Sequence, residues 1–265
     1  MLPAGSRLVP AASMAGMKAS GIVTLLTDFG LDDAYVGAMK GAILAVHPKA
    51  NVVDISHGVR PFAVLQGAFL LDSAWRSFPV GTVHVAVVDP GVGTDRKAIA
   101  FKAADHFFVG PDNGLFTFLT EPISETVGLA TPPEAAPTFH GRDVFGPVAA
   151  RLAAGTVLSE LGTPRRQEPL RLADAWASKV GEAWRAQVLH CDHFGNVITN
   201  LPIRALARIK VINGAPVRTV ETYEEAQPNE LVALVGSSGR IEFALREGSA
   251  ATRLHTAPGE TLLVT

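Results

Sequence analysis

The chain has one cysteine, Cys191, in 265 residues. A single thiol excludes a disulfide framework and any site built on several cysteines, and it fits a reducing compartment. Excess charge of either sign is also missing. There are 23 lysines and arginines against 25 aspartates and glutamates, a formal net charge of −2. No basic field exists to hold a phosphate backbone or an anionic lipid surface, so neither nucleic acid nor a membrane is expected as a partner. No apolar run approaches the roughly 20 residues that a membrane-spanning helix needs. The first nineteen residues, MLPAGSRLVPAASMAGMKA, lack the continuous apolar stretch of a secretory leader. Residues 1–20 are expected to be a disordered extension, with Met14 or Met17 as alternative starts. These absences point to a soluble, cytoplasmic protein.

What is present is apolar: 48% of the residues are hydrophobic, enough for one large or two moderate cores. From residue 21 the pattern alternates. GIVTLLTDF, ANVVDIS and GTVHVAVVD read as strands, while DDAYVGAMKGAILAVHP carries helical spacing at Ala34, Val36, Met39, Ile43, Leu44 and Val46. PFAVLQGAFLLDSAWRSF reads as a helix opened by Pro61, and GLFTFLTE and VFGPVAARLAAG as further helices. This predicts an α/β domain over residues 21–160 with a mostly parallel sheet covered on both faces. Residues 161–181 have little periodicity and read as a linker. Beyond them short strands with glycine, asparagine and proline at the breaks predict a smaller all-β, barrel-like domain over 182–265.

Several stretches carry polar residues where such a fold places ligands. Asp28 ends the first strand, and strand ends of an open sheet are where ligands sit. Alternatively it caps a helix or an Asx-turn, although Asp32 and Asp33 are better placed to cap. VDPGVGTDR sets Asp89 at a strand tip and Arg96 seven positions on. It lacks the GK[ST] of a phosphate loop and does not complete GxGxxG. Asp89 and Arg96 either form a mutual ion pair or present their charges to something. In FHGRDVFGP, Asp143 reads as an N-cap and His140 has no such role. HCDHFGN gathers histidine, cysteine and aspartate, but strand alternation sends His190 and Asp192 one way and Cys191 and His193 the other, so no metal site is expected. The FGN turn instead aims Asp192 and Asn196 at one space. VGSSGR is a hairpin turn whose hydroxyls and amides suit a carboxylate or a base edge.

Taken in order, LLTDFGLDDAYVGAMKG, VVDPGVGTDRK, VGPDNGLFT, TFHGRDVFGPVAARLAAG, DHFGNVITN and SSGRIEFALREGSAA resemble the S-adenosylmethionine hydroxide adenosyltransferase family, relatives of the fluorinating and chlorinating enzymes. The resemblance covers roughly residues 21–265. It implies an N-terminal α/β domain, a C-terminal β-barrel domain and hydrolysis of S-adenosylmethionine to adenosine and L-methionine, with no cofactor. It places the polar triad on Asp89, Arg96 and His140 and the ribose hydroxyls on Asp28. Asp192 and Asn196 fall to the methionine amine, and Ser237 and Ser238 to its carboxylate. Tyr223 falls to stacking on adenine, and the backbone near Leu245 to Glu247 to the base edge. It further implies a homotrimer with sites between subunits. Ser238 and Ile198 depart from the halogenating relatives' pattern. A chlorinase-like halogenase and a non-catalytic adenosine-binding sensor are the alternatives.

Overall fold

The computed structural model describes residues 18–265, so all but the last three residues of the expected N-terminal extension lie outside the described residues. Seven strands form the first sheet: β1 (Ile22–Thr27), β2 (Asn51–Ser56), β3 (Val83–Val87), β4 (Ala98–Ala103), β5 (His106–Pro111), β6 (Ile123–Leu129) and β7 (Thr163–Pro164), in the order β2-β1-β3-β5-β4-β6-β7. The β2–β1, β1–β3 and β3–β5 pairs are parallel, and the β5–β4, β4–β6 and β6–β7 pairs are antiparallel. The sheet is therefore mixed, which corrects the mostly parallel one expected. The cause is local. Ala104 and Asp105, at φ 47° and 58°, reverse the chain in two residues between β4 and β5, and only an antiparallel hairpin closes that way.

Helices cover both faces. On one, α1 (Tyr35–Val46) and α3 (Gly146–Ala153) pack Met39, Ile43, Ala149 and Leu152 against Val23, Leu25 and Val85. On the other, α2 (Val64–Ala74) sets Leu71 beside Leu26, Ala86 and Phe108. Burial on both faces explains why β1 and β3 read as unbroken apolar runs. Of the α1 positions read as apolar, Val36, Met39 and Ile43 are buried, while Leu44 and Val46 are exposed. Its N-cap is Ala34, with no side-chain cap, so Asp32 and Asp33 do not serve as the expected caps. The expected helix through GLFTFLTE is absent; residues 115–118 are turn. There the Arg171 guanidinium donates to the carbonyls of Thr117 and Leu119, supplying partners that a helix would have supplied internally.

The second sheet has nine strands: β8 (Ser178–Val180), β9 (Ala183–Cys191), β10 (Val197–Thr199), β11 (Val211–Ile212), β12 (Ala215–Pro216), β13 (Arg218–Thr219), β14 (Leu231–Val235), β15 (Ile241–Leu245) and β16 (Thr261–Val264). The order β12-β11-β16-β9-β10-β15-β14-β13, with β8 on β9, puts β12 and β13 at opposite ends. Only Val217 separates them in the chain, so the sheet has to curl until its edges meet, and it is nearly a barrel. Val188, Val197, Ile241 and Phe243 fill its interior. Residues 163–164 and 178–180, inside the stretch read as a linker, supply β7 and β8. Phe69 and Phe118 from the first part pack with Leu189 and Ile198 from the second, and Arg240 reaches Asp72 at 3.3 Å. Among the described residues no helix is long and apolar enough to cross a membrane.

A buried polar chain crosses the first sheet through Thr24 of β1, His84 of β3 and His106 of β5. Thr24 Oγ1 lies 2.8 Å from His84 Nδ1, and His84 Nε2 lies 3.0 Å from His106 Nδ1, with Trp75 and Phe108 around them. Burial first, and the neighbouring His106 second, push His84 down to about 3. A histidine in an unfolded chain protonates near pH 6.5. Unfolding therefore takes up a proton once the pH drops below about 6.5, and stability is lost from there toward about pH 3, by up to about 1.4 kcal/mol per pH unit. Urea denaturation at about pH 7.5 and about pH 5 should show the loss, and His84→Gln should show less of it. An equal loss in both proteins would place the effect elsewhere.

Candidate active site

The parallel pairing of β1 with β3 sets Thr27 opposite Val87, so the residues just beyond both strand tips stand side by side. Those tips carry Asp28 and Asp89, at the carboxyl edge where open sheets place ligands. Asp28, Asp89 and His140 line one cavity of about 550 Å³ together with Phe29, Tyr35 and Phe62. Arg96 does not line it; its side chain lies behind Asp89 and His140 and is about nine-tenths buried.

The glycine loop after β3 brings the charges together. Thr94 Oγ1 donates to the Gly91 carbonyl at 2.7 Å and accepts from Arg96 N–H at 3.3 Å, which folds the loop back on itself. Gly93 sits at φ +78°, and a β-carbon there would meet the Pro137 carbonyl at 2.8 Å, so this position takes only glycine. Arg96 Nε then donates to Asp89 Oδ1 at 3.0 Å and Oδ2 at 2.9 Å, while Nη2 donates to Asp89 Oδ2 and, at 2.8 Å, to His140 Nδ1. The ion-pair reading and the presentation reading are both realised: the two charges pair, and the pair faces a cavity.

His140 precedes a π-helical turn, Gly141–Phe145. A guanidinium only donates, so His140 Nδ1 must be the acceptor and its proton, when neutral, sits on Nε2. Burial, with the Arg96 cation second, pulls its pKa below the ordinary histidine value. Asp143 is not the N-cap expected. It lies within the turn, accepts from Arg142 and takes the Ala136 N–H at 2.8 Å, fixing the cavity's outer loop. Asp28 has a tie that sequence could not reveal: its Oδ2 accepts the Phe62 N–H at 2.9 Å from a loop 34 residues away. Burial raises its carboxyl above the usual range, against the Phe62 hydrogen bond, and the Asp89 charge adds to the rise.

A second cavity, about 610 Å³, is lined by Asp192, Asn196, Tyr223, Ser237, Leu245 and Glu247, with Phe194 and Glu242. The two cavities share no lining residue. Asp192 Oδ1 accepts the N–H groups of Phe194 and Asn196, and Asn196 Nδ2 donates to Oδ2 at 2.9 Å, so the turn does bring this pair together. His190 lies 2.8 Å from Gln66 and is not among the residues lining this cavity. Burial pushes the neighbouring Cys191 thiol up to about 11, which makes it a poor nucleophile. Ser238 is not part of this wall; its Oγ is buried without a partner among the described residues.

Sequence reasoning missed Phe29, Tyr35, Phe62 and Phe139 around the first cavity and Glu242 in the second. The aromatics offered no signal beyond apolarity, although Phe29, Tyr35 and Phe139 form a mutual cluster with centroids 5.3 to 6.1 Å apart. Glu242 did offer one: in IEFAL it alternates against two core residues, Ile241 and Phe243.

Fold and site define a two-part protein, α/β and then curled β, with a charged cavity at the strand tips of the first sheet. The chain belongs to the S-adenosylmethionine hydroxide adenosyltransferase family: the family's N-terminal domain matches residues 23–162 and its C-terminal domain residues 186–263. It is 39% identical over 254 residues to the (R)-S-adenosyl-L-methionine hydrolase of Salinispora arenicola, covering 92% of this chain and 97% of that protein. Similarity to a fluorinase of Actinoplanes sp. is lower, 29% over 221 residues, covering 70% and 74%. Among solved structures, an uncharacterized conserved protein from Thermotoga maritima matches with a TM-score of 0.82 at 32% identity, covering 91% of this chain and 99% of that chain.

Proposed function

We propose that the protein hydrolyses S-adenosyl-L-methionine to adenosine and L-methionine by in-line attack of water on C5′. The observation that carries this reading is the hydrogen-bonded Asp89–Arg96–His140 array in the wall of a cavity that also presents Asp28. Relatives named (R)-S-adenosyl-L-methionine hydrolase support the substrate and the hydrolysis.

The chemistry makes modest demands. The sulfur leaves a sulfonium as a neutral thioether, so the leaving group needs no acid and the reaction no cofactor. Water forms the new C5′–O bond with an oxygen lone pair, the C5′–S electrons go to sulfur, and one proton is released. The obstacles are water's weak nucleophilicity and its alignment. In this reading the Asp89 carboxylate accepts the water's proton, since His140 already carries one on Nε2 and its Nδ1 is held by Arg96. His140 donates from Nε2 to place the water, and Arg96 fixes the orientation of both partners. Asp28 holds the ribose hydroxyls, and its carboxylate together with Asp89 favours a cationic substrate.

The halogenating alternative needs a small dry cage for an anion. A halide stripped of water beside the Asp89 carboxylate would be repelled. A sensor would need the pocket and not the array. The direct test is incubation with S-adenosylmethionine in ¹⁸O-water. The label is expected in the 5′-hydroxyl of adenosine, and chloride or fluoride should yield no 5′-halo product. Label in neither product, or formation of methylthioadenosine, would overturn the hydrolase reading.

The two cavities hold complementary halves of what one substrate needs. We further propose that the protein is a homotrimer in which the first cavity of one subunit faces the second cavity of its neighbour, as the family resemblance implies.

A further inference from the structure

The second cavity contains a carboxylate that none of the roles above uses. Glu242 lies on β15 between β10, where it faces Ile198, and β14, where it faces Leu234. The residue is 5% exposed, yet it lines the cavity with Asp192 and Ser237. One oxygen, Oε1, accepts the Tyr223 hydroxyl. The other, Oε2, has no hydrogen-bond partner among the described residues. The nearest arginines in the chain have other partners: Arg240 is held on Asp72 and over the Phe118 ring, and Arg246, which also lines the cavity, donates to the carbonyls of Glu224 and Ala226. The backbone makes room for this group, because a β-carbon at Gly236 would collide with Oε2.

A largely buried carboxylate with one oxygen left free toward the cavity favours a cation placed there. Asp192, on the same wall, adds a second negative charge and, after burial, contributes to raising the Glu242 carboxyl above its usual range. A cation placed against both acids relieves the repulsion that Glu242 meets. A neutral adenine edge would not do this, and a carboxylate would be repelled.

We infer that Glu242 is a specificity-determining residue whose free oxygen pairs with the α-ammonium of the amino-acid part of the substrate, beside Asp192. This rests on the substrate class proposed above. It assigns Glu242 two jobs through its two oxygens: Oε1 holds Tyr223 in place, and Oε2 reads the cation. The chain thereby selects a nucleoside that carries an amino acid over the same nucleoside without one.

The test separates the two oxygens and the two charges of the substrate. Glu242→Gln keeps an acceptor for the Tyr223 hydroxyl and removes the negative charge. Tyr223→Phe does the reverse. Titration calorimetry would use S-adenosylhomocysteine, which has the α-ammonium and no sulfonium, and methylthioadenosine, which has neither. Glu242→Gln should weaken S-adenosylhomocysteine by about tenfold or more and leave methylthioadenosine within about twofold. Tyr223→Phe should affect both ligands alike. Equal weakening of both ligands by Glu242→Gln, or of neither, would overturn the assignment and leave Glu242 as the holder of Tyr223 alone. Wild-type protein that binds neither ligand would overturn the substrate class, and this inference with it.

Discussion

Arg96→Ala should lower kcat on S-adenosylmethionine by on the order of 10² or more while leaving affinity for it nearly unchanged. The direction follows from where Arg96 lies. It does not line the cavity, so its removal takes no contact from the substrate. What it takes is the orientation of Asp89 and His140, both of which lose their charged donor. Asp89 then becomes a buried carboxylate without a partner, which disfavours the ionised form that must accept the water's proton. His140 loses the donor that fixes its tautomer. Arg96→Lys should recover only part of the rate, because an ammonium cannot span Asp89 and reach His140 in one plane as the guanidinium fork does. Stability is a separate concern, since an orphaned carboxylate can unfold a protein. Arg96→Ala combined with Asp89→Asn removes the orphan charge and should fold as well as the wild type while remaining inactive. Asp28→Ala supplies the opposite pattern, with binding of adenosine itself impaired. Single-turnover rates beside direct binding would decide between them. A large loss of affinity with unchanged kcat in Arg96→Ala would make Arg96 a binding residue and defeat the arrangement proposed.

Much of the first cavity's acidic lining was legible because strand tips can be read from sequence. A β-branched apolar run ending in aspartate places that aspartate at the sheet's edge, and this located Asp28 and Asp89. Their adjacency was not legible, since it depends on β1 pairing with β3 across a sequence separation of 60 residues. The parallel sheet was over-extended for a related reason. KAADHFF contains no glycine or asparagine to announce a hairpin, and the turn is made by Ala104 and Asp105 in the left-handed region, which alanine seldom enters. GLFTFLTE looked helical because its apolar spacing is right. The competing interaction, Arg171 on the carbonyls of Thr117 and Leu119, comes from more than 50 residues away. Residues 161–181 looked like a linker because they lack periodicity, yet Arg165 pairs there with the buried Asp112 at 2.6 Å and Leu170 N–H binds the same carboxylate. Glu242 was passed over because a single acid inside an apolar strand resembles an outward-facing residue. That face becomes a cavity wall because the 220–226 segment folds over it, with Val220 and Ala226 on Val232, Leu234 and Ala244 and the Tyr223 hydroxyl on Glu242.

Two separately dead variants should restore activity when co-expressed. One carries His140→Ala, which breaks the array of the first cavity. The other carries Tyr223→Ala with Ser237→Ala, which strips the second. The two cavities share no lining residue: the first carries Asp28, Asp89 and His140, the second Asp192, Asn196, Tyr223, Ser237 and Glu242, and the proposed reaction needs both sets. Exposed apolar side chains line both openings, Tyr35 and Phe62 at the first and Phe194 at the second, surfaces that a neighbouring subunit would cover. A ring of three copies with head-to-tail contacts makes every such junction equivalent. With random mixing, about half of the first cavities are intact, and about half of those face an intact second cavity, so about a quarter of the sites should work. Neither variant alone should show turnover above background. Separately purified proteins mixed without subunit exchange should stay inactive, which excludes a trace of wild type as the source. The ratio of plasmids sets the yield, so unequal expression should lower recovery predictably from that quarter. A site built within one chain would show no recovery at any ratio. A monomer by light scattering would end the proposal before the mixing experiment began.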